Sequence, residues 1–200
     1  MTLNIEYSCF IQIAVLICAA IAVNFLNKQK NSPSWLRKIL AIITGVMVNW
    51  GGFNIISGSY TVTLAYVMTS ILTQQNFSSS EIQAKLLNEI NISSIGFLIP
   101  MIVFSILASI LGGRVAGEIA RQNEVFYGFA TGIVMLLINI MLIIFARQSP
   151  MPSQNPNWVS SLVISAVNIG FAALGGYLAA KQRKKEQINM AQNNGIPQVS

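Results

Sequence analysis

Five apolar stretches separated by short polar segments organise this chain. They are residues 8–26, 39–72, 95–116, 126–146 and 158–180. A helix of about 20 apolar residues is enough to cross the roughly 30 Å hydrocarbon core of a bilayer. The pattern therefore predicts an all-α integral membrane protein, with about five transmembrane helices in a single polytopic domain, 1–186.

The second stretch is longer than one crossing requires. As a helix, residues 39–72 would measure about 51 Å at about 1.5 Å per residue. The alternatives are one long tilted or broken helix, or two short crossings hinged at Gly51-Gly52 or at Ser57-Gly58-Ser59. With one crossing, ten of the twelve Lys and Arg residues fall on one side of the membrane, whereas two crossings divide them six and six. The positive-inside rule favours one crossing, which predicts five helices with the N-terminus outside and the C-terminus in the cytoplasm.

Small residues recur along the third stretch, and again near the start of the fourth and the end of the fifth. Rows of small residues on a helix form smooth faces, where a neighbouring backbone can lie close in the absence of a hydrophobic drive. The predicted packing residues are Ser105, Ser109, Gly112, Gly113, Gly117, Gly128, Gly132, Gly175 and Gly176. We expect contact with the lipid bilayer, and self-association through these faces or binding to another membrane protein.

Two short motifs occur twice. Leu111-Gly112-Gly113 aligns with Leu174-Gly175-Gly176, and Thr44-Gly45 aligns with Thr131-Gly132. Crossings two and three, and crossings four and five, are therefore a candidate duplicated helical hairpin to which an N-terminal helix has been added.

Two polar segments are predicted to lie outside the membrane. The external loop 73–94 contains the sequence SSSEIQAKLLNEI, in which Ser80 and Gln83 suit a capping box at the start of a helix. Its apolar residues share one face, which predicts a short amphipathic helix that lies either on the membrane surface or packed on the protein. Residues 187–200 are polar and are predicted to be a disordered cytoplasmic tail.

Composition narrows the chemistry. Hydrophobic residues make up 54% of the chain and charged residues 9%, which is outside the range of soluble globular proteins. The sequence has no Asp and no His, which removes a common general base and the commonest metal ligand. Cys9 and Cys18 lie in the first apolar stretch and are interpreted as small apolar residues. We predict no catalytic residue, no metal, no cofactor and no nucleic-acid partner, and a protein that is not an enzyme.

Three amide side chains are predicted to lie within the membrane. Counting about 1.5 Å per residue from the helix ends places Asn49, Asn139 and Asn168 near the midplane. One interpretation is a polar spot that lines a path for a substrate or ion. The other is a set of hydrogen bonds that hold helices together.

A charged pair follows the third stretch. Arg114 and Glu118 are spaced i,i+4, which predicts an ion pair just inside the cytoplasmic face. It would either close a cytoplasmic gate against Arg121 and Glu124 or form a solvated helix end.

The Gly-Gly helix ends also support a resemblance. Residues 112–117 and 175–180 resemble those of a loose group of uncharacterised bacterial multi-pass inner-membrane proteins, whose helices end in Gly-Gly-x-x-Ala-[Gly/Ala]. The resemblance covers roughly 38–184. Such proteins often carry an acid early in the first helix of the repeat, where this chain has Asn49. This departure weighs against a proton-linked role. Gly112-Gly113-Arg114 is also similar to the cytoplasmic loop of major facilitator transporters, although that family normally has an Asp and more bases there.

Taken together, the sequence favours a structural or accessory component of the inner membrane. The alternative is a small transporter or channel with a polar midplane site, and a membrane-embedded enzyme is the third hypothesis.

Overall fold

The computed structural model describes residues 17, 21, 34–89, 95–148 and 158–193. These residues form five α-helices and no strand: α1 (Ser34–Gln74), α2 (Ser79–Glu89), α3 (Ile95–Ala120), α4 (Glu124–Gln148) and α5 (Trp158–Asn193). All of them except α2 are long and apolar enough to cross a membrane. The predicted all-α membrane fold is confirmed. Apart from Ile17 and Ile21, the predicted crossing at 8–26 lies outside the described residues.

Helix α1 is unbroken over its 41 residues, so the alternative of two short segments is wrong. Polar side chains along its middle hydrogen-bond to carbonyl groups of the preceding turn. The Asn54 amide donates to the Trp50 carbonyl at 2.7 Å, and the Thr61 hydroxyl donates to the Ser57 carbonyl at 2.9 Å. These bonds satisfy polar groups within the helix itself, so the serines and glycines do not interrupt it.

The four long helices run alternately up and down, and α3 packs against α1, α4 and α5. Contacts between the helices define the directions. Gly45 of α1 faces Gly112 of α3 and Tyr60 of α1 packs edge-to-face against Phe104, so these two helices are antiparallel. α3 and α5 are parallel, since Ser105 lies beside Asn168 and Gly117 lies beside Ala179. One end of the bundle therefore contains the start of α1, the end of α3, the start of α4 and the C-terminal part of α5.

Each Gly-Gly pair brings its helix against two neighbours at once. Successive residues on a helix point about 100° apart, since about 3.6 residues make a turn. On α3, a Cβ at Gly112 would lie 2.6 Å from the Gly45 carbonyl oxygen of α1, and one at Gly113 would overlap the Ala172 carbonyl of α5. On α5, Gly175 lies against the Ile110 carbonyl of α3 and Gly176 against α4. Both motifs lie at the same end of the bundle, which we name the glycine end.

The small-residue faces are covered within one copy of the chain. Every predicted packing glycine except Gly117 has an atom of a neighbouring helix within 3.0 Å of an added Cβ, and at Gly117 the nearest such atom, the Ala179 Cβ, would be 3.1 Å away. These faces are therefore occupied by the chain's own helices, and the expected self-association stays a prediction. The two Gly-Gly pairs also make different contacts. Gly112 faces α1, the other helix of its own candidate hairpin, whereas the aligned Gly175 faces α3, which belongs to the other candidate hairpin. The aligned motifs are thus not packed in equivalent ways, and the duplicated hairpin stays a hypothesis.

Helix α5 continues past its basic residues to Asn193, so the prediction of disorder is wrong for 187–193; residues 194–200 lie outside the described part. Lys, Arg, Glu and Gln end an apolar span, but they are good helix formers. The Gln182 amide donates to the Glu186 carboxylate at 3.1 Å one turn along this extension. At the same end, a connection of three residues, 121–123, joins α3 to α4. Arg121 and Asn123 adopt left-handed backbone conformations there, with φ of 57° and 49°.

The short helix α2 follows α1 and packs against it. Its capping box is formed by Ser78 and Glu81, so the predicted pair of Ser80 and Gln83 is wrong. The Ser78 hydroxyl and backbone N–H donate to the Glu81 carboxylate at 2.6 and 2.9 Å. An ionised carboxylate accepts stronger hydrogen bonds than a neutral amide, which favours the pair with the glutamate. The hydrogen bonds from Ser78 lower the pKa of Glu81.

Replacing Gly113 with alanine tests the close packing at the glycine end. The added methyl group meets the Ala172 backbone, which cannot move without shifting α5. We expect Gly113→Ala to destabilise the protein by about 1–3 kcal/mol or more, as overpacking does. The measurement is thermal unfolding in mild detergent.

The matched control is Gly52→Ala on α1, where nothing lies within 4 Å of an added Cβ. This variant should keep or slightly raise the melting temperature, since alanine favours a helix by about 1 kcal/mol over glycine. Equal melting temperatures for the two variants would contradict the packing described for Gly113.

Candidate functional site

Three amide–hydroxyl hydrogen bonds join neighbouring helices at the middle of the bundle. They run from Asn49 Nδ2 to Ser109 Oγ at 3.4 Å, from Asn168 Nδ2 to Ser105 Oγ at 2.5 Å, and from Asn139 Nδ2 to Ser165 Oγ at 2.9 Å. The first joins α1 to α3, the second α5 to α3, and the third α4 to α5. The three predicted amides thus link all four long helices in one series.

Helix periodicity explains why the serines can receive these bonds. Ser105 and Ser109 on α3 are four residues apart and so lie on one side of that helix, where one faces α5 and the other α1. Ser165 is held in place because its hydroxyl donates to the Ser161 carbonyl at 2.8 Å, one turn earlier on α5. The lone pairs of the Ser165 oxygen are then directed toward Asn139.

The three amides also line a single cavity of about 410 Å³. All four long helices contribute to its wall. The polar residues in the wall are Asn49, Asn54, Asn139, Asn168, Ser105, Ser109, Ser161 and Ser165. Small-molecule sites in proteins have volumes of about 300–1,000 Å³, so the cavity is large enough for a ligand.

The cavity has a buried polar side and a more exposed apolar side. Asn49, Ser109 and Ser165 are buried. By contrast, Trp50 of α1 and Leu142 of α4, which also line the cavity, are 39% and 53% exposed. The wall therefore changes from amides and hydroxyls to aromatic and aliphatic groups between the bundle interior and its surface.

One polar atom of the wall is unsatisfied. The Asn168 Oδ1 atom is buried and has no hydrogen-bond partner among the described residues, although the same amide donates to Ser105. Leaving a buried acceptor unpaired costs about 1–3 kcal/mol. This places a vacant hydrogen-bond acceptor next to the cavity.

The glycine end carries the predicted ion pair. The Arg114 guanidinium donates to the Glu118 carboxylate at 2.9 Å, and both side chains are well exposed. Exposed pairs of this kind contribute about 0–1 kcal/mol. Arg114 also donates to the Gln182 side-chain oxygen at 2.5 Å, which links α3 to the extension of α5.

A second ion pair at this end is less exposed. Arg183 of α5 pairs with Glu124 at the start of α4, and it also donates to the Glu118 carbonyl of α3 at 3.3 Å. Three helices are thereby held together by one guanidinium group. The predicted gate, in which Arg114 and Glu118 close against Arg121 and Glu124, stays untested, whereas the pairing of Glu124 with Arg183 is observed.

Sequence reasoning missed several of the residues that the structure brings to these sites. Arg183 is 59 residues from Glu124, and no local pattern connects the two. Trp50, Phe53 and Asn54 complete the cavity wall on α1. One feature of the sequence could have indicated these residues. Trp50 lies in the middle of an apolar stretch, whereas tryptophan is enriched at membrane interfaces.

Comparison with known proteins gives no match to a family model, to a curated protein or to a solved structure. Within the described ranges, no three His, Cys, Asp or Glu side chains lie together in a way that could hold a metal ion. The functional argument therefore starts from the amides, the hydroxyls and the cavity that they share.

A double-mutant cycle on Asn168 and Ser105 tests whether the amides bond across helices. If the hydrogen bond joins α5 to α3 as described, Asn168→Ala and Ser105→Ala should couple by about 0.6–2 kcal/mol. The measurement is the free energy of unfolding of the wild type, the two single variants and the double variant in bicelles.

The control cycle pairs Asn54→Ala with Ser105→Ala. Asn54 also lines the cavity, but its amide donates to the Trp50 carbonyl of its own helix. Its coupling to Ser105 should be close to zero. Coupling energies of the same size in both cycles would contradict a specific bond between α5 and α3.

Proposed function

We propose that the protein is a small membrane transporter or carrier that binds its substrate in the midplane cavity. One observation supports this most directly: Asn49, Asn139 and Asn168, from three different helices, line the same volume of about 410 Å³. A void between packed helices forfeits dispersion contacts, and unpaired polar groups beside it add to the cost. A molecule that fills the volume and bonds to its wall removes both costs.

The second candidate is a structural or accessory membrane component. It is favoured by the hydrogen bonds from the three amides, each of which ends on a serine of a neighbouring helix. In this role the amides stabilise the bundle, and no molecule binds in the cavity. The two functions therefore differ in whether a molecule occupies the cavity.

We further propose that the protein is not an enzyme. Among the described residues of the cavity wall, none is an acid or a base, so the serine hydroxyls have no neighbour that could activate them as nucleophiles. Glu118, an acid at the glycine end, lies outside the cavity wall, is well exposed and is bonded to Arg114.

The proposed location is a bacterial inner membrane, with the glycine end facing the cytoplasm. Of the ten Lys and Arg residues in the described ranges, eight belong to the helix termini and connection at that end. Lys85 in α2 and Arg147 near the end of α4 belong to the other end. An excess of bases on one side is typical of the cytoplasmic side, and the resemblance of the Gly-Gly ends to bacterial inner-membrane proteins agrees with this location.

Filling the cavity tests the transporter proposal. Met135 of α4 lines the cavity, so Met135→Trp should occupy part of its volume and displace a bound molecule. We expect native mass spectrometry of protein purified from its own membranes to detect a small-molecule adduct on the wild type. The adduct should fall by about tenfold or more in the variant, which corresponds to about 1.4 kcal/mol of binding free energy.

Leu137→Trp is the control, since Leu137 lies on the same helix, is exposed and is not part of the cavity wall. It should keep the adduct. Both variants must elute as folded protein in size-exclusion chromatography. A wild-type protein with no adduct, or an adduct that Met135→Trp leaves intact, would favour the structural role instead.

A reporter fused after Ser200 tests the orientation. If the glycine end is cytoplasmic, green fluorescent protein at this position should fluoresce and alkaline phosphatase should be inactive, because the C-terminal part of α5 lies at that end. A fusion of each reporter within 73–78, at the far end of α1, should give the opposite pair of signals. Active phosphatase at Ser200 would reverse the proposed orientation.

A further inference from the structure

The cavity opens sideways between α1 and α4. These two helices come together near the glycine end, where a Cβ at Gly45 would lie 2.8 Å from Thr131 Oγ1. The cavity wall takes later residues of both helices, within 49–54 and 132–143. Two of these, Trp50 and Leu142, are 39% and 53% exposed. The seam between α1 and α4 is thus closed at the glycine end and leads into the cavity farther along.

This opening faces lipid. Trp50 follows Asn49, which counting from the helix end places near the midplane, and Leu142 falls inside the candidate membrane span Glu124–Phe145 of α4. An exposed side chain at this depth contacts hydrocarbon. A molecule that enters through the seam therefore comes from the bilayer.

Trp50 presents a hydrogen-bond donor at this opening. Trp50 lines the cavity and is 39% exposed, so its indole N–H is available at the rim, and its backbone carbonyl accepts from Asn54. Tryptophan is enriched at membrane interfaces, where its N–H reaches polar partners, and burial of an unpaired donor in hydrocarbon is costly. The indole N–H at the rim and the vacant Asn168 oxygen at the interior are two separate groups that a bound polar molecule could satisfy.

The wall also limits the charge of that molecule. The described lining residues are amides, hydroxyls and apolar groups, with no Lys, Arg, Asp or Glu among them. Moving an ionised group from water into a low-dielectric site without a counter-charge costs several kcal/mol. An uncharged head group with both donor and acceptor capacity meets no such cost, and its apolar part can stay against Trp50 and Leu142.

We propose that the cavity binds an uncharged amphipathic molecule taken up laterally from the bilayer. Its polar head, a hydroxyl or a primary amide, bonds to the asparagine cluster, and its hydrocarbon part lies in the seam between α1 and α4. The inference rests on the proposed function and adds the chemical class of the substrate and its route into the protein.

Photolabelling with three matched probes tests both additions. The probes are diazirine-bearing octanol, octylammonium and octanoate, which share a chain and differ in the charge of the head group. Each is incorporated with the purified protein into phosphatidylcholine vesicles, irradiated, and mapped by mass spectrometry of peptides. Labelling of cavity residues in α1 and α4 is divided by labelling at Val103, which is exposed on α3 and is not part of the cavity wall.

The octanol probe should give a normalised cavity signal at least about tenfold above that of either charged probe, since about 1.4 kcal/mol suffices for that ratio. Met135→Trp should remove this excess, and Leu137→Trp should leave it unchanged. A further variant, Trp50→Phe, keeps the aromatic ring but removes the N–H, and should lower the octanol signal while preserving the fold.

The outcomes separate the inference from the function on which it rests. If octylammonium or octanoate gives the stronger cavity signal and Met135→Trp removes it, the cavity binds ligands but the uncharged class is wrong. If the adduct seen by native mass spectrometry depends on Met135 while no probe labels the cavity above Val103, the lateral route is wrong. If neither the adduct nor the labelling depends on Met135, the proposed function itself fails.

Discussion

Close contact between helix backbones at glycine is the constraint on which the rest of this structure depends. Gly113 lies against the Ala172 carbonyl and Gly175 against the Ile110 carbonyl, so α3 and α5 approach each other closely over about one turn. Lipid supplies no hydrophobic drive for helix association, which leaves dispersion and polar contacts between closely fitted surfaces. Side chains of ordinary size at these positions would push the helices apart.

The glycine contacts lie at one end of the bundle, and the cavity lies farther along it, between the same four helices. The asparagine–serine bonds connect these helices at residues that line the cavity. The cavity is the volume that remains between them, with amides at its interior and Trp50 and Leu142 at its rim.

Much of this arrangement could be predicted from the sequence, because its causes are local. The apolar stretches have the length that a bilayer demands, the small-residue rows mark the packing faces, and counting residues from the helix ends places Asn49, Asn139 and Asn168 at a common depth. The distribution of bases favoured one crossing over 39–72, but it did not decide between a continuous and a broken helix, and α1 is continuous.

The features that were not predicted depend on how distant segments meet. Arg183 reaches Glu124 only because α5 remains helical beyond its basic residues, and no spacing in the sequence reveals that pair. The small-residue faces are packing surfaces, as predicted, but the sequence did not show that other helices of the same chain cover them. Ser78 caps the helix instead of Ser80 because its hydroxyl bonds to the ionised carboxylate of Glu81. The spacing rule fits both serines and does not say which pair forms the stronger hydrogen bonds.

The three-residue connection between α3 and α4 has a mechanical consequence. With Arg121 and Asn123 already in left-handed conformations, residues 121–123 have little length left to absorb a change in the angle between their helices. α4 is in turn fixed to α5 through glycine contacts and the guanidinium of Arg183. These contacts tie α3, α4 and α5 to one another. A swing of α1 about the point where Gly45 meets Gly112 would widen the seam while leaving those contacts in place.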